Sequence, residues 1–162
     1  MYLLDANTMM EAGRLYYGFD IAPGYWDWLI RMHEAENIAS VEAVLDEISG
    51  GDDPLVGWSQ QPALDGFWLP DSAESLVHSA ELARWANDPE RIYKQAAVDE
   101  FMASPDLRLI AQARALDGTV VTREVSAPGA KNKVKIPDVC GAFDISCVQP
   151  FEVYRTLGMT LT

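Results

Sequence analysis

The chain has 162 residues, nearly half of them apolar, and a formal net charge of −13. This length is typical of one domain with a sizeable core, so we expect a single domain over residues 1–162. The acidic balance excludes a protein that binds nucleic acid by bulk positive charge, and the lack of a long apolar run argues against a membrane protein. The amino terminus has no signal-peptide pattern, which favours a cytoplasmic protein.

The first predicted element is a short apolar strand that ends at Asp5. A continuous apolar run is typical of a buried parallel strand, and ligands bind at the carboxyl ends of such strands. Asp5 is therefore the first candidate for chemistry, although Asp5 or Asn7 could simply cap the next helix. Helices are predicted over residues 9–17, over residues 25–37, over residues 41–49 behind a Ser40 cap, and over residues 53–58.

The second half of the chain continues to alternate strands with helices. Strands are predicted over residues 66–70, 119–122 and 145–148, and helices over residues 73–87, 91–103 and 107–117, from Pro137 and from Pro150. This alternation predicts an α/β fold with a parallel sheet and helices on both faces. Cys140 and Cys147 have no metal-site spacing, so we expect them to be reduced core thiols.

Four separate segments each place an acid at the end of an element or beside the core. These acids are Asp5 after the first strand, Glu47 on the third helix, Asp106 at a helix start and Glu124 after the 119–122 strand. The chain has no glycine-rich phosphate loop, and its two isolated histidines do not suggest a Ser-His-Asp triad. Carboxylates without histidine or cysteine ligands suit hard cations, namely Mg2+ or Mn2+.

Four motifs, in this order, resemble a PIN domain, the metal-dependent nuclease fold of VapC-like toxins. They are LLDANT at residues 3–8, SVEAVLDEI at residues 40–48, DLRLIA at residues 106–111 and VTRE at residues 121–124. Residues 16–29, 50–55 and 133–140 are similar to a less-studied PIN-like branch. The resemblance implies a three-layer α/β/α fold with a short central parallel sheet and many helices.

The same resemblance implies a Mg2+- or Mn2+-dependent endoribonuclease, the toxin of a type II toxin–antitoxin pair. Asp5, Asp106 and Glu124 would hold the metal directly, and Glu47 would be a further ligand or a base that orients water. The family usually has aspartate where Glu124 stands, so Asp138 is an additional candidate ligand.

Polar and basic residues near these acids complete the expected site. Asn7 and Thr122 are expected to orient the metal-binding carboxylates by hydrogen bonds. A basic patch after the 119–122 strand is expected to contact the RNA backbone and consists of Arg123, Lys131, Lys133 and Lys135. The alternative for this patch is an ordinary solvated loop.

We expect three partners, namely RNA, a cognate antitoxin whose basic segment could enter the acidic groove, and a second copy of the chain. One alternative function is a phosphatase that uses Asp5 as a nucleophile, although Asn7 stands where such enzymes need a second aspartate. Another is a non-catalytic interaction module with a decayed metal site and with Trp26, Trp28 and neighbouring aromatics on its partner surface, although burial in the core is the more usual role of such residues. Stabilisation by Mg2+ or Mn2+ would separate the nuclease from the module.

Overall fold

A five-stranded, all-parallel sheet lies at the centre of the computed structural model, which describes residues 1–161. Its strands are β1 (Tyr2–Leu4), β2 (Ile38–Val41), β3 (Trp68–Leu69), β4 (Thr119–Val121) and β5 (Ser146–Val148). They are arranged in the order β3-β2-β1-β4-β5, so β1 is the middle strand. A strand that is covered on both faces has to be apolar on both faces. Leu3 and Leu4 in β1 are accordingly 0% and 1% exposed.

Nine α-helices surround this sheet within residues 1–161. They are α1 (Ala6–Glu11), α2 (Pro23–Glu34), α3 (Glu42–Ser49), α4 (Pro54–Ser59), α5 (Ala73–Ala86), α6 (Gln95–Ala103), α7 (Asp106–Ala115), α8 (Ile136–Ala142) and α9 (Pro150–Thr156). A π-helical segment, Ala12–Tyr16, follows α1, and a 3-10 turn, Pro62–Leu64, precedes β3. Helix α7 packs on β2 and β4, and α8 packs on β5. The predicted three-layer α/β/α fold is confirmed.

The strand β2 is absent from the sequence interpretation, which is wrong in this region. Helix α2 ends at Glu34, and Glu36 takes the left-handed φ of 59° that often follows a helix end. After Asn37 the chain forms β2, in which Ile38 and Ala39 lie opposite Tyr2 and Leu3 of β1. Ser40, which was expected to cap a helix, lies fully buried in β2 and donates its hydroxyl to the Leu4 carbonyl at 2.7 Å.

Two helix starts and one predicted cap also differ from the sequence interpretation. Helix α1 begins at Ala6 rather than residue 9, because the Asp5 side chain accepts a hydrogen bond from the Thr8 N–H at 2.7 Å and so caps the helix. Helix α6 begins at Gln95 rather than residue 91. Ser104, interpreted as part of the α7 cap, instead donates its hydroxyl to the last turn of α6.

The aromatic residues of α2 form core rather than a partner surface. Tyr25, Trp26 and Trp28 are 0%, 2% and 3% exposed. The Tyr25 hydroxyl lies 2.7 Å from the Tyr154 hydroxyl, so this buried polar group has a partner. Trp26 and Trp28 are therefore core residues, and the interaction-module alternative has no partner surface at these two positions. The Trp28 ring lies 5.6 Å from the Tyr154 ring, and this contact ties α2 to α9.

Two further expectations concern the thiols and the membrane. Both cysteines are free thiols; Cys140 is buried, as expected, whereas Cys147 is only half-buried. Over residues 1–161, none of the helices has the length and apolar character needed to span a bilayer.

Candidate active site

Asp5 occupies the junction between β1 and α1, at the carboxyl end of the middle strand. One carboxylate oxygen caps α1 through the Thr8 N–H, and the other accepts the Thr122 hydroxyl at 2.6 Å. The side chain is 1% exposed. Burial raises the pKa of Asp5, the hydrogen bonds from Thr122 and Thr8 oppose this rise, and the Glu124 charge adds to it. Asp5 therefore caps a helix and also faces the other acids, so the two interpretations of this residue are compatible.

Glu124 is fixed at the same sheet edge by the loop that follows β4. Its main-chain N–H donates to the Thr122 hydroxyl oxygen at 3.1 Å, and its Oε2 accepts the Ile136 N–H at 2.7 Å. Its Oε1 lies 2.8 Å from the Lys133 Nζ. The chain thus turns back between residues 124 and 136, and a single carboxylate joins the end of β4 to the start of α8.

Asp106, the first residue of α7, is an acid whose negative charge is disfavoured by its surroundings. Its pKa is raised to about 7, first by burial and then by the charges of Glu124, Asp5 and, more weakly, Glu47, whereas Lys133 lowers it. Like charges oppose ionisation in this way only when they lie near the group that ionises. Asp106 therefore lies near the other three acids that the sequence singled out.

A small cavity of about 110 Å³ opens beside Asp106. Predicted residues Asn7, Glu47 and Lys133 line it together with Glu100, which sequence analysis did not identify. Glu100 lies on α6, and its cavity-facing neighbours Ala97, Phe101 and Ser104 recur with it at the spacing of one helix face. This spacing was readable in the sequence, but only the packing of α6 shows that the face meets the site.

The four predicted RNA-binding cations have different surroundings. Lys133 faces the acids, whereas Arg123 lies 3.3 Å from the Glu11 carboxylate. Lys131 is exposed, and its carbonyl accepts the Lys94 N–H at 2.9 Å. Lys135 immediately precedes α8. Only Lys133 and Arg123 therefore lie against the residues that surround Asp5 and Glu124.

Asp138, the additional candidate ligand, points to a different place. Its carboxylate accepts hydrogen bonds from the Ser126 hydroxyl and, at 3.0 Å, from the Ala127 N–H. It lines a separate cavity of about 430 Å³ with Trp85 and Tyr93. A metal-binding role for Asp138 stays a prediction, and the geometry favours Glu124 as the acid that accompanies Asp5 and Asp106.

The donor chemistry of this site fits a divalent cation such as Mg2+ or Mn2+. The groups are carboxylates, which are hard oxygen donors, and a cation offsets both the burial of the Asp106 charge and its repulsion by the other acids. Within residues 1–161, no three acidic, histidine or cysteine side chains already converge at coordinating distance. Simultaneous coordination therefore requires side chains to turn toward one another, and a turn of Glu124 would break its contacts with Lys133 and the Ile136 N–H.

Solved structures with the same fold come from FitAB and VapBC2. A chain of FitAB bound to an IR36 DNA fragment is 19% identical, with a TM-score of 0.54, and the match covers 93% of this chain and 96% of that chain. A chain of VapBC2 from Rickettsia felis, bound to a promoter DNA fragment, is 18% identical with a TM-score of 0.52, covering 91% and 97%. FitAcB from Neisseria gonorrhoeae gives 17% identity and a TM-score of 0.54, covering 93% and 99%.

These matches establish a PIN-like fold, as the sequence motifs predicted. No curated protein matches the chain. The profile of one protein family, described as "Domain of unknown function (DUF4411)", matches residues 2–161. Because this match spans almost the whole chain, the protein belongs to the DUF4411 family, which has a PIN-like α/β/α fold.

Proposed function

We propose that the protein is a Mg2+- or Mn2+-dependent endoribonuclease that hydrolyses RNA phosphodiester bonds. The observation that supports this proposal is the placement of Asp5 and Glu124 around the Thr122 hydroxyl, which donates to the Asp5 carboxylate and accepts the Glu124 N–H. Asp106 lies near them, and burial together with the charges of the other acids raises its pKa to about 7. Such crowding destabilises a fold unless a ligand of opposite charge uses it. The PIN-like fold is consistent with this chemistry, since it presents the acids at the carboxyl edge of a parallel sheet.

Some residues would bind the cation directly, and others orient these ligands by hydrogen bonds. Asp5, Asp106 and Glu124 would be the ligands, and a bound divalent cation supplies an acidified water and neutralises charge on the attacked phosphate. The Thr122 hydroxyl orients Asp5 through the 2.6 Å hydrogen bond. Glu47 is exposed at the cavity, where it would accept a proton from water.

The net charge of −13 is compatible with an RNA substrate if few phosphates are contacted. Lys133 and Arg123 would make those contacts, because they lie beside Glu124 and Tyr16 respectively. A protein of this charge binds RNA poorly by bulk electrostatics, which would restrict it to particular targets.

The structures that share the fold are toxin–antitoxin complexes, and this supports a toxin role with a cognate antitoxin and a dimeric state. We propose that a basic antitoxin segment binds the groove around Asp106 and Glu124, where the acids attract positive charge. The target RNA would then be cytoplasmic.

The nuclease proposal is tested with purified protein and a mixed pool of end-labelled RNA in Mg2+ or Mn2+. We expect cleavage by the wild type, loss of cleavage with EDTA, and loss in Asp5→Asn, which removes one charge with little change of volume. Asp46→Asn is the matched control, because Asp46 is an exposed acid of α3 next to Glu47. The absence of cleavage by the wild type, or equal rates for Asp5→Asn and wild type, would refute the proposal.

A further inference from the structure

Two aromatic rings lie exposed next to the candidate site. Tyr16, the last residue of the π-helical segment, is 43% exposed, and Phe151, in the first turn of α9, is 37% exposed. Their ring centroids are 6.2 Å apart and the ring planes meet at 82°. We call this pair the aromatic platform. Exposed aromatic rings that lie side by side are the kind of surface on which nucleobases stack.

A guanidinium group covers part of this platform. The Arg123 Cζ lies 4.6 Å from the centre of the Tyr16 ring, and Glu11 holds the same guanidinium from the other side. Arg155 is exposed on α9, one helical turn after Phe151. The combination of ring faces with arginines is the chemistry that recognises an unpaired nucleobase and its phosphate.

The platform is connected to the candidate site by short, defined contacts. Arg123 stands between Thr122, which binds Asp5, and Glu124. The Gln149 side-chain amide donates to the carbonyls of Arg123 and Glu124 at 3.3 and 3.2 Å. Gln149 is the residue that precedes α9, and it therefore fixes the helix that carries Phe151 to the end of β4. A strand that crossed the acids would reach the platform next.

We propose that Tyr16 and Phe151 bind one unpaired base of the RNA substrate beside the hydrolytic site, one ring stacking on the face of the base and the other, nearly perpendicular to it, contacting the edge, while Arg123 and Arg155 contact the adjoining phosphates. The proposal rests on the proposed ribonuclease function and adds to it a base-binding position formed by two named rings. Duplex RNA is excluded from such a platform because its bases are already stacked and paired.

Binding measurements in the Asp5→Asn background test the platform without cleavage. The double variant Tyr16→Leu/Phe151→Leu removes both rings and retains apolar side chains, whereas Leu15→Ala alters a neighbour that is 69% exposed and has no ring. The probes are fluorescein-labelled oligouridine and an abasic ribose-phosphate oligomer of equal length, both in Mg2+. We expect the double variant to weaken oligouridine binding about tenfold and to leave abasic binding unchanged. Leu15→Ala should bind both probes like the parent.

Three results would overturn the platform. They are unchanged oligouridine binding by the double variant, an equal loss for both probes, and a change of oligomeric state showing that a second copy covers the rings. Tyr16→Phe, which keeps the ring, should bind like the parent and so guards against an effect of misfolding.

The ribonuclease proposal is tested separately, by measuring RNA cleavage by the protein that retains Asp5. Base-dependent loss of binding together with an inactive wild type would support the platform and reject the nuclease. An active wild type whose ring variants keep the same KM would support the nuclease and reject the platform.

Discussion

Replacing Asp106 with asparagine is expected to stabilise the folded protein above neutral pH. The folded-state pKa of Asp106 is about 7, against an ordinary value of 3.8. A difference of about 3 units corresponds to an upper limit of about 4 kcal/mol, since each unit is worth ~1.36 kcal/mol. The side chain is only partly shielded from solvent, so we expect a gain of about 2 kcal/mol in the free energy of unfolding.

The size of this stabilisation changes with pH in a defined window. Between about pH 4 and about pH 7 the folded state keeps the Asp106 proton while the unfolded state has lost it. The folded wild type therefore binds more protons, and its stability falls as the pH rises through this window. Asparagine carries no charge at any pH, so the gain should be absent near pH 4 and complete near pH 8.

Urea unfolding of wild type and Asp106→Asn, in EDTA at about pH 4 and at about pH 8, measures this difference. Asp46→Asn is the control, because Asp46 is exposed and should show no such difference between the two pH values. A loss of stability in Asp106→Asn at about pH 8, or an equal gain at both values, would mean that Asp106 is not repelled by its neighbours. The same variant should lack nuclease activity, an example of stability traded for function.

Three further predictions concern the same site. In the wild type, Mg2+ or Mn2+ at a hundredfold excess over Kd should raise the free energy of unfolding by about 2.7 kcal/mol. In a thermal-shift titration, Asp5→Asn should lose this gain, and the absence of a shift in the wild type would count against a metal site. Thr122→Val should cost about 1–3 kcal/mol in urea unfolding, because the buried Asp5 carboxylate loses its 2.6 Å donor, whereas Thr122→Ser keeps the donor and should be near neutral. Lys133→Met should shift the midpoint of the pH-dependent fall in melting temperature to higher pH, because the Lys133 charge lowers the pKa of Asp106 and its removal raises that pKa. An unchanged midpoint pH would contradict this.

The sequence was sufficient to predict the fold class and to predict that Asp5, Glu124 and Asp106 lie near one edge of the sheet. Asp5 and Glu124 follow strands, and the carboxyl ends of parallel strands meet at one sheet edge. Asp106 begins a helix that packs on β4. These positions follow from the alternation of strands and helices, which is a local property of the chain.

The rest depends on tertiary packing that local patterns do not contain. Strand β2 is four residues long, and Val41 continues the apolar spacing of the helix that follows, so a helical period masks the strand. Glu100 reaches the cavity only because α6 is laid across it. Lys133 points toward the acids of the candidate site, whereas Asp138 bonds to Ala127 elsewhere. The loop that closes on Glu124 through the Ile136 N–H sets both directions.

The hydrogen bond between Asp5 and Thr122 joins residues that are 117 positions apart. Glu124 in turn needs the Ile136 N–H, which is translated later still. In a growing polypeptide, Asp5 can therefore cap α1 early, but it gains its Thr122 partner only after the chain has been made as far as β4. If the protein cleaves RNA, a product that ends before Ile136 would lack the N–H that holds Glu124 at the site, so activity should require nearly the whole domain.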